Sequence, residues 1–197
     1  MPALPRPSGG FECIETEIAG VCLVTAAAVE DSRGFLMETY HQEKFAALGI
    51  RDAFIQDNHS RSRRGTLRGL HAQSRRPQAK LCRVTLGEVL DVALDIRLGS
   101  PTFGRYVAVT LSAPGRCQIY IPRGFAHGFL VLSDVAEFQY KCSEFYDAAD
   151  EIGVAWNDPA LAIPWGIADP ELSAKDRVLP RLADIPRDQL PRYSASA

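Results

Sequence analysis

Hydrophobic and polar residues alternate with a period of two over much of the chain beyond residue 54. The clearest case is residues 90–97, where each even position from Leu90 to Ile96 is aliphatic and the odd positions carry Asp, Ala or Arg. Because successive side chains of a strand point to opposite faces, this alternation predicts a β-strand. Residues 106–111 follow the same pattern. Shorter apolar runs predict further strands at 21–24, 118–121, 129–132 and 137–142.

Glycine and proline separate these runs. They stand at Gly87, 99–101, 114–115 and 122–124, and both residue types favour turns. Since no long helical pattern intervenes, the spacing predicts an all-β fold, an antiparallel jelly-roll sandwich. Two short helical elements are predicted beside the strands. Residues 42–48 form a helix that ends at Gly49, and residues 172–175 form one helical turn near the C-terminus.

The length of 197 residues predicts a single domain that spans residues 1–197. Residues 1–10 hold three prolines and end in two glycines, so we expect a flexible arm there. Residues 180–197 also hold three prolines and are predicted to form a C-terminal tail on the body of the domain. The sequence contains no internal repeat and no sign of a second domain.

Composition narrows the class of protein. The net charge of -2 and the pI near 6.1 give no global electrostatic reason to expect a nucleic-acid partner. The five cysteines lack a CxxC pair, which argues against a disulfide framework or a zinc site and suits a reducing compartment. No segment reads as a signal peptide or as an apolar stretch that could span a membrane. We therefore expect a cytoplasmic protein without a membrane partner.

Candidate chemistry is concentrated in Arg68–Gln73 and Lys80, where an imidazole, a guanidinium and an ammonium lie close together in sequence. Histidine can act as a base near neutral pH, and fixed cations can hold an oxyanion or a phosphate. Solvated strand-edge residues are the alternative interpretation. A metal-binding jelly roll would need a cage of three or four ligands. Because His71 and His127 lack suitably spaced partners, the sequence predicts no metal site.

Four motifs closely resemble the dTDP-4-dehydrorhamnose 3,5-epimerase family: 68–73, 78–81, 121–129 and 137–141. Further similar stretches follow the family order at 31–34, 56–60, 156–158 and 172–176. The resemblance implies a cupin-like jelly roll that forms a homodimer. It also implies an isomerase that needs no metal and no cofactor. Its implied reaction converts dTDP-4-dehydro-6-deoxy-D-glucose into dTDP-4-dehydro-L-rhamnose, in dTDP-L-rhamnose biosynthesis.

The same resemblance implies catalytic roles. The C3 and C5 protons of a 4-keto-6-deoxyhexose are acidified by the C4 carbonyl, and inversion needs a base on one face and an acid on the other. By resemblance, His71 is the base and Asp176 orients it. Tyr140 is the acid that returns a proton from the opposite face, and Lys80 stabilises the enolate oxygen.

Substrate-binding residues are also implied by the resemblance. Arg68 and His127 match positions near the sugar and diphosphate, and Phe145 stands where a tyrosine commonly stacks on the base. The nucleotide-binding positions are Arg33, Glu38, Gln56 and Asn58, the first two on an early strand that the family exchanges across a dimer interface. The sequence departs from the family pattern at three positions, Leu36, Ala72 and Phe145, and Ala72 is predicted to widen the sugar pocket.

Several alternatives stay open at this point. Within the family, the enzyme could invert only C3 or C5, or act on a GDP- or CDP-linked 4-keto-6-deoxy sugar. A non-catalytic sugar-nucleotide-binding cupin and a metal-dependent cupin enzyme are alternatives from other classes. Without the resemblance, Tyr140 would be interpreted as a core tyrosine, Lys80 as an edge lysine and Asp176 as a solvated turn residue.

Overall fold

The computed structural model describes residues 10–194, which form three antiparallel sheets and short helices. Six strands build the first sheet, in the spatial order β1 (Phe11–Glu15), β2 (Cys22–Ala26), β10 (Cys117–Ile121), β7 (Lys80–Leu86), β12 (Val135–Cys142) and β5 (Gln56–Arg63). Five strands build the second, in the order β13 (Glu151–Gly153), β6 (Leu67–Gln73), β11 (Phe125–Val131), β8 (Glu88–Asp95) and β9 (Tyr106–Ser112). Strands β3 (Ala28–Asp31) and β4 (Gly34–Met37) form a separate hairpin. The all-β antiparallel jelly-roll prediction is confirmed.

The two large sheets face each other and enclose an apolar core. Side chains from both sheets meet there, among them Ile119 and Phe138 of the six-stranded sheet and Val89 and Phe125 of the five-stranded sheet. All four are at most 2% exposed, so the sandwich interior is closed over this part of its length. Burial of such side chains is the main source of stability in a fold of this kind.

The C-terminal part of the chain covers the outer face of the five-stranded sheet. Leu182, Ile185 and Leu190 pack in a second core with Leu94 and other even-numbered residues of β8. The predicted strand at 90–97 is therefore buried on both faces, and its aliphatic residues face this outer core. The described part of the predicted tail, residues 180–194, thus lies on the sheet, whereas 1–9 of the predicted arm and 195–197 lie outside the described residues.

The helices match the sequence prediction near the N-terminus and differ from it near the C-terminus. Helix α1 spans Gln42–Ala47, and its buried Phe45 packs on the outer face of the six-stranded sheet. The helical turn expected at 172–175 is displaced, because a 3-10 helix forms at Asp176–Val178 instead. The hydroxyl of Ser173 accepts a hydrogen bond from the Asp176 backbone N–H at 3.1 Å and so fixes the start of this turn. A second 3-10 helix spans Leu182–Asp184.

Candidate active site

A cavity of about 1210 Å³ opens between the sheets where the packed core ends. Its walls come from the edge strand β5, from β6, β7, β11 and β12, and from residues 171–176. Four of the predicted catalytic residues line it: His71, Lys80, Tyr140 and Asp176. The fold therefore brings together side chains that are up to 105 positions apart in the sequence.

His71 is held by a carboxylate behind its ring. Its Nε2 lies 2.6 Å from Oδ1 of Asp176, whose side chain is 3% exposed. Burial acts to raise the pKa of Asp176, but the hydrogen bond to His71 and further bonds from Ser173 and the Gly69 backbone hold that pKa below its ordinary value. Because an ionised carboxylate can only accept, Nε2 carries the proton and Nδ1 is the nitrogen that can take one from a ligand.

Glu151 lies on the other side of the imidazole and was missed by the sequence analysis. Its Oε1 is 3.9 Å from Nδ1 of His71. Lys175 Nζ donates to both of its oxygens at 2.7 and 2.9 Å, and the Tyr146 hydroxyl donates at 2.8 Å. Burial acts to raise the pKa of Glu151, yet the bonds from Lys175 and Tyr146 leave it lowered. The signal was too weak to find, since β13 has only three residues and shows no periodicity.

Tyr140 and Lys80 line the opposite wall, on neighbouring strands of the six-stranded sheet. The Lys80 Nζ lies 6.0 Å from the centre of the Tyr140 ring, and it donates to the His71 carbonyl oxygen at 3.5 Å. Burial, followed by the nearby thiols of Cys142 and Cys82, raises the pKa of Tyr140 to about 12. Lys80 is buried, and no salt bridge to it forms among residues 10–194. This wall therefore offers a protonated phenol and a cation without a counter-ion.

His127 and Arg68 lie beside the catalytic candidates. His127 on β11 is the cross-strand partner of His71, and its Nε2 is 2.9 Å from Oδ2 of the buried Asp91. Arg68 Nε donates to the Ser62 hydroxyl at 3.1 Å, and its side chain is otherwise available to the cavity. Both residues line the cavity, and their placement near the sugar and diphosphate stays a prediction.

Gln56 and Asn58 form a chain of amides along the edge strand β5. The Tyr146 backbone N–H donates to Gln56 Oε1 at 2.9 Å, and Gln56 Nε2 donates to Asn58 Oδ1 at 3.1 Å. Asn58 Nδ2 in turn contacts the Cys142 sulfur at 3.6 Å. Tyr146 lines the cavity, whereas Phe145 is 59% exposed and does not line it. Two adjacent aromatics point in different directions, so the sequence could not decide which of them faces the site.

Arg33 and Glu38 lie away from the cavity of their own chain. Arg33 belongs to the exposed β3–β4 turn, where it pairs with Asp31, and Glu38 accepts from Lys44 at 2.6 Å. Three apolar side chains of this hairpin are also exposed, namely Val29 (73%), Phe35 (57%) and Leu36 (78%). The predicted role of Arg33 and Glu38 in nucleotide binding therefore requires a second subunit and stays a prediction.

Ala72 is 7% exposed, packs in the outer core and is also among the residues that line the cavity. Its side chain belongs to the cluster that contains Leu70 and Val154, on the face opposite the imidazole. An alanine where the family usually has an aromatic residue therefore affects the packing behind β6, and the widening of the sugar pocket stays a prediction. Among residues 10–194 no three His, Cys, Asp or Glu side chains cluster in a way that suits a metal ion. None of the described helices has the length and apolarity needed to cross a membrane.

Comparisons with known proteins agree on one family. The family model described as dTDP-4-dehydrorhamnose 3,5-epimerase matches residues 15–184. The protein of that name from Pseudomonas aeruginosa is 53% identical over 169 residues, which cover 85% of this chain and 93% of the relative. A relative of the same name from the archaeon Methanothermobacter thermautotrophicus is 44% identical over 170 residues, with coverage of 85% and 92%.

Solved structures give the same result. The dTDP-6-deoxy-D-glucose-3,5-epimerase from Legionella pneumophila, in complex with dTDP-4-keto-L-rhamnose, is 46% identical with a TM-score of 0.91, and the match covers 94% of this chain and 100% of that one. The 3'-monoepimerase ChmJ from Streptomyces bikiniensis, in complex with dTDP-quinovose, is 37% identical with a TM-score of 0.85, covering 91% and 93%. Similar folds of this type therefore serve both double and single inversion.

Proposed function

The chain belongs to the dTDP-4-dehydrorhamnose 3,5-epimerase family and is a sugar-nucleotide epimerase, and we propose that it inverts C3 and C5 of dTDP-4-dehydro-6-deoxy-D-glucose. The product is dTDP-4-dehydro-L-rhamnose, the precursor of dTDP-L-rhamnose. Each inversion removes a proton next to the C4 carbonyl, passes through an enolate and returns a proton from the other face.

The observation that carries this proposal is the position of His71 and Tyr140 on opposite sheets, in the walls of one cavity. A sugar ring between them meets a base on one face and an acid on the other. His71, with Asp176 at 2.6 Å from Nε2, takes the proton at Nδ1, and the carboxylate stabilises the imidazolium that results. Tyr140, with its pKa raised to about 12 by burial, stays protonated until it meets a strongly basic enolate.

Lys80 stabilises the enolate oxygen in this proposal. Its ammonium group is buried and lies 6.0 Å from the Tyr140 ring centre. Because it forms no salt bridge within the described chain, the charge that develops on the C4 oxygen becomes its natural counter-ion. Because this cation is already in place, little rearrangement of the site is needed when the enolate forms.

The nucleotide part of the substrate binds, we propose, along β5. The amides of Gln56 and Asn58 contact the edge of the base, and Tyr146 rather than Phe145 stacks on it. Arg68 holds the diphosphate. Arg33 and Glu38 complete the nucleotide site of a partner subunit in a homodimer, and the exposed apolar residues of their hairpin support such an interface.

The proposal is tested by following C3 and C5 protons with NMR during incubation with dTDP-4-dehydro-6-deoxy-D-glucose in deuterated water. We expect both signals to disappear and the product to have the L-rhamno configuration. Exchange and inversion at one carbon would make the protein a mono-epimerase, a reaction that ChmJ carries out on a similar fold. Exchange at neither carbon, followed by activity on a GDP- or CDP-sugar, would contradict the proposed substrate.

A further inference from the structure

Two buried aspartates on strand β8 differ in how their oxygens are satisfied. Asp91 and Asp95 are both 0% exposed and, four residues apart, lie on the same face of the strand. Both oxygens of Asp95 accept hydrogen bonds, from Arg97, Ser100 and Thr102. Asp91 accepts one bond, from His127 to Oδ2, and its Oδ1 is buried without a partner in the described chain.

Because its Oδ1 has no hydrogen-bond partner in the described chain, stabilisation of the fold does not explain an aspartate at position 91. Leaving a buried acceptor unsatisfied destabilises the folded state, and more so for a charged group. The residues two places before and after it on β8, Val89 and Ala93, belong to the apolar core between the sheets. An apolar side chain at position 91 would continue that core without the cost. However, Asp91 forms its hydrogen bond with His127, which lines the proposed active site.

We propose that Asp91 is a positioning residue that holds the His127 imidazole with Nε2–H on its carboxylate and with Nδ1 available to the sugar. This inference rests on the proposed function. It gives the cavity two imidazole–carboxylate pairs on adjacent strands, since His127 and His71 are register partners and each directs Nε2 to a buried aspartate. His71 removes protons, whereas His127 accepts a hydrogen bond from a sugar hydroxyl and fixes the ring between the base and the acid.

The surroundings of His127 support a fixed orientation. Its ring stacks on Phe138, with centroids 5.9 Å apart, and lies 6.5 Å from the rings of Phe129 and Tyr140. Titratable groups close to the pair include Tyr140, whose ring lies 6.5 Å from that of His127, the register partner His71, and Cys82, which interacts electrostatically with Asp91. Burial, with Asp91 as a further cause, raises the pKa of the Cys82 thiol well above its ordinary value. Asp91 is therefore the group that determines which ring nitrogen of His127 carries the proton.

The first test observes the tautomer directly. In the ligand-free protein, nitrogen-15 NMR of the histidine side chains should show His127 protonated at Nε2, and the variant Asp91→Asn should show a mixture of tautomers. Asp95→Asn is the matched control, because it removes a carboxylate with the same burial from the same strand without contacting the cavity. It should lower the melting temperature and leave the His127 signals unchanged. A wild-type His127 protonated at Nδ1 alone would overturn the proposal.

The second test separates positioning from folding. In Asp91→Asn, kcat should fall about 10- to 100-fold, the size expected for loss of a charge-assisted hydrogen bond, while the Kd for dTDP changes less than 2-fold. Adding the substitution to a His127→Asn background should cause no further loss, because Asp91 acts through His127. Multiplicative losses in the double variant would contradict the inference. An inactive wild type would contradict the proposed function instead, and the tautomer measurement would still decide the role of Asp91.

Discussion

The space between the two sheets has a packed part and an open part, and a single strand crosses from one to the other. On β12, Phe138 is fully buried in the core, whereas Tyr140, two residues later on the same face, lines the cavity. The packed part is filled by side chains such as Ile119 and Val107. The open part is lined by polar residues such as His71, which a hydrogen bond to Asp176 holds in place.

This difference indicates that the residues that stabilise the fold and the residues proposed to carry out the reaction occupy separate parts of the molecule. Apolar burial in the packed part positions the strands, and the strands in turn present polar groups to the cavity at fixed spacing. Lys80 illustrates the cost, because a buried cation without an anion weakens the fold and becomes useful when an enolate forms. Substitutions in the open part should therefore change turnover, and those in the packed part should change unfolding.

The largest expected effect belongs to the base. In His71→Ala, deuterium exchange at C3 and C5 should slow by about 10²- to 10⁴-fold, because general base catalysis is lost. Thermal unfolding should change little. His59 on β5 is the matched control, since it lies outside the cavity wall and pairs with Glu137 at the surface. Equal loss of activity in His59→Ala would show that the effect is not specific to the site.

The packed part should respond in the opposite way. Ile119 is 0% exposed, and Ile119→Ala should lower the free energy of unfolding by about 2–5 kcal/mol through lost burial and a residual cavity. Urea denaturation measures this change, and kcat of the folded fraction should stay close to the wild-type value. A large fall in kcat without a change in stability would contradict the separation of the two parts.

A smaller effect distinguishes the two adjacent aromatics. Tyr146→Ala should weaken dTDP binding by about 1–3 kcal/mol, the range for a base stacked on an aromatic ring. Phe145→Ala should leave the affinity nearly unchanged, because Phe145 does not line the cavity. Calorimetric titration with dTDP compares the two variants. The reverse order of affinities would restore the sequence-based assignment of Phe145.

The smallest expected effect is the pH dependence of the stability that the buried Asp95 contributes. Burial acts to raise the pKa of Asp95, but hydrogen bonds from Arg97, Ser100 and Thr102 leave it below the ordinary value of 3.8. A lowered pKa means that Asp95 contributes stability above pH 4 and that this contribution is lost as the pH falls through the folded-state pKa. The difference in the free energy of unfolding between wild type and Asp95→Asn, measured by urea denaturation, should therefore become smaller from pH 7 to pH 3. A difference that becomes larger as the pH falls would contradict a lowered pKa for Asp95.

Periodicity and apolar runs predicted six of the thirteen strands in residues 10–194, namely β2 and β8 to β12, but could not identify the faces that they bury. The alternation at 90–97 indicated a strand, and β8 spans Glu88–Asp95. Its aliphatic residues face an outer core because the C-terminal segment covers that side, while Asp91 faces the space between the sheets. The covering segment lies about 90 residues further along the chain, so local pattern carries no information about it.

The site was predictable to the extent that motifs carried the family resemblance. His71 and Asp176, named from separate motifs, lie within hydrogen-bonding distance. Glu151 and Asp91 were not found, because each acts through contacts across strands that the sequence order does not reveal. The choice between Phe145 and Tyr146 depends on the local chain direction after β12, which composition does not fix.

The central claim, that Tyr140 returns the proton from the face opposite His71, is tested most directly with Tyr140→Phe in deuterated water. This variant keeps the ring but removes the acid. We expect C3 and C5 exchange to continue, because His71 can remove a proton and return deuterium from the same face, while inversion slows by at least about 10²-fold. Inversion at the wild-type rate, or equal loss of exchange and inversion, would contradict the account.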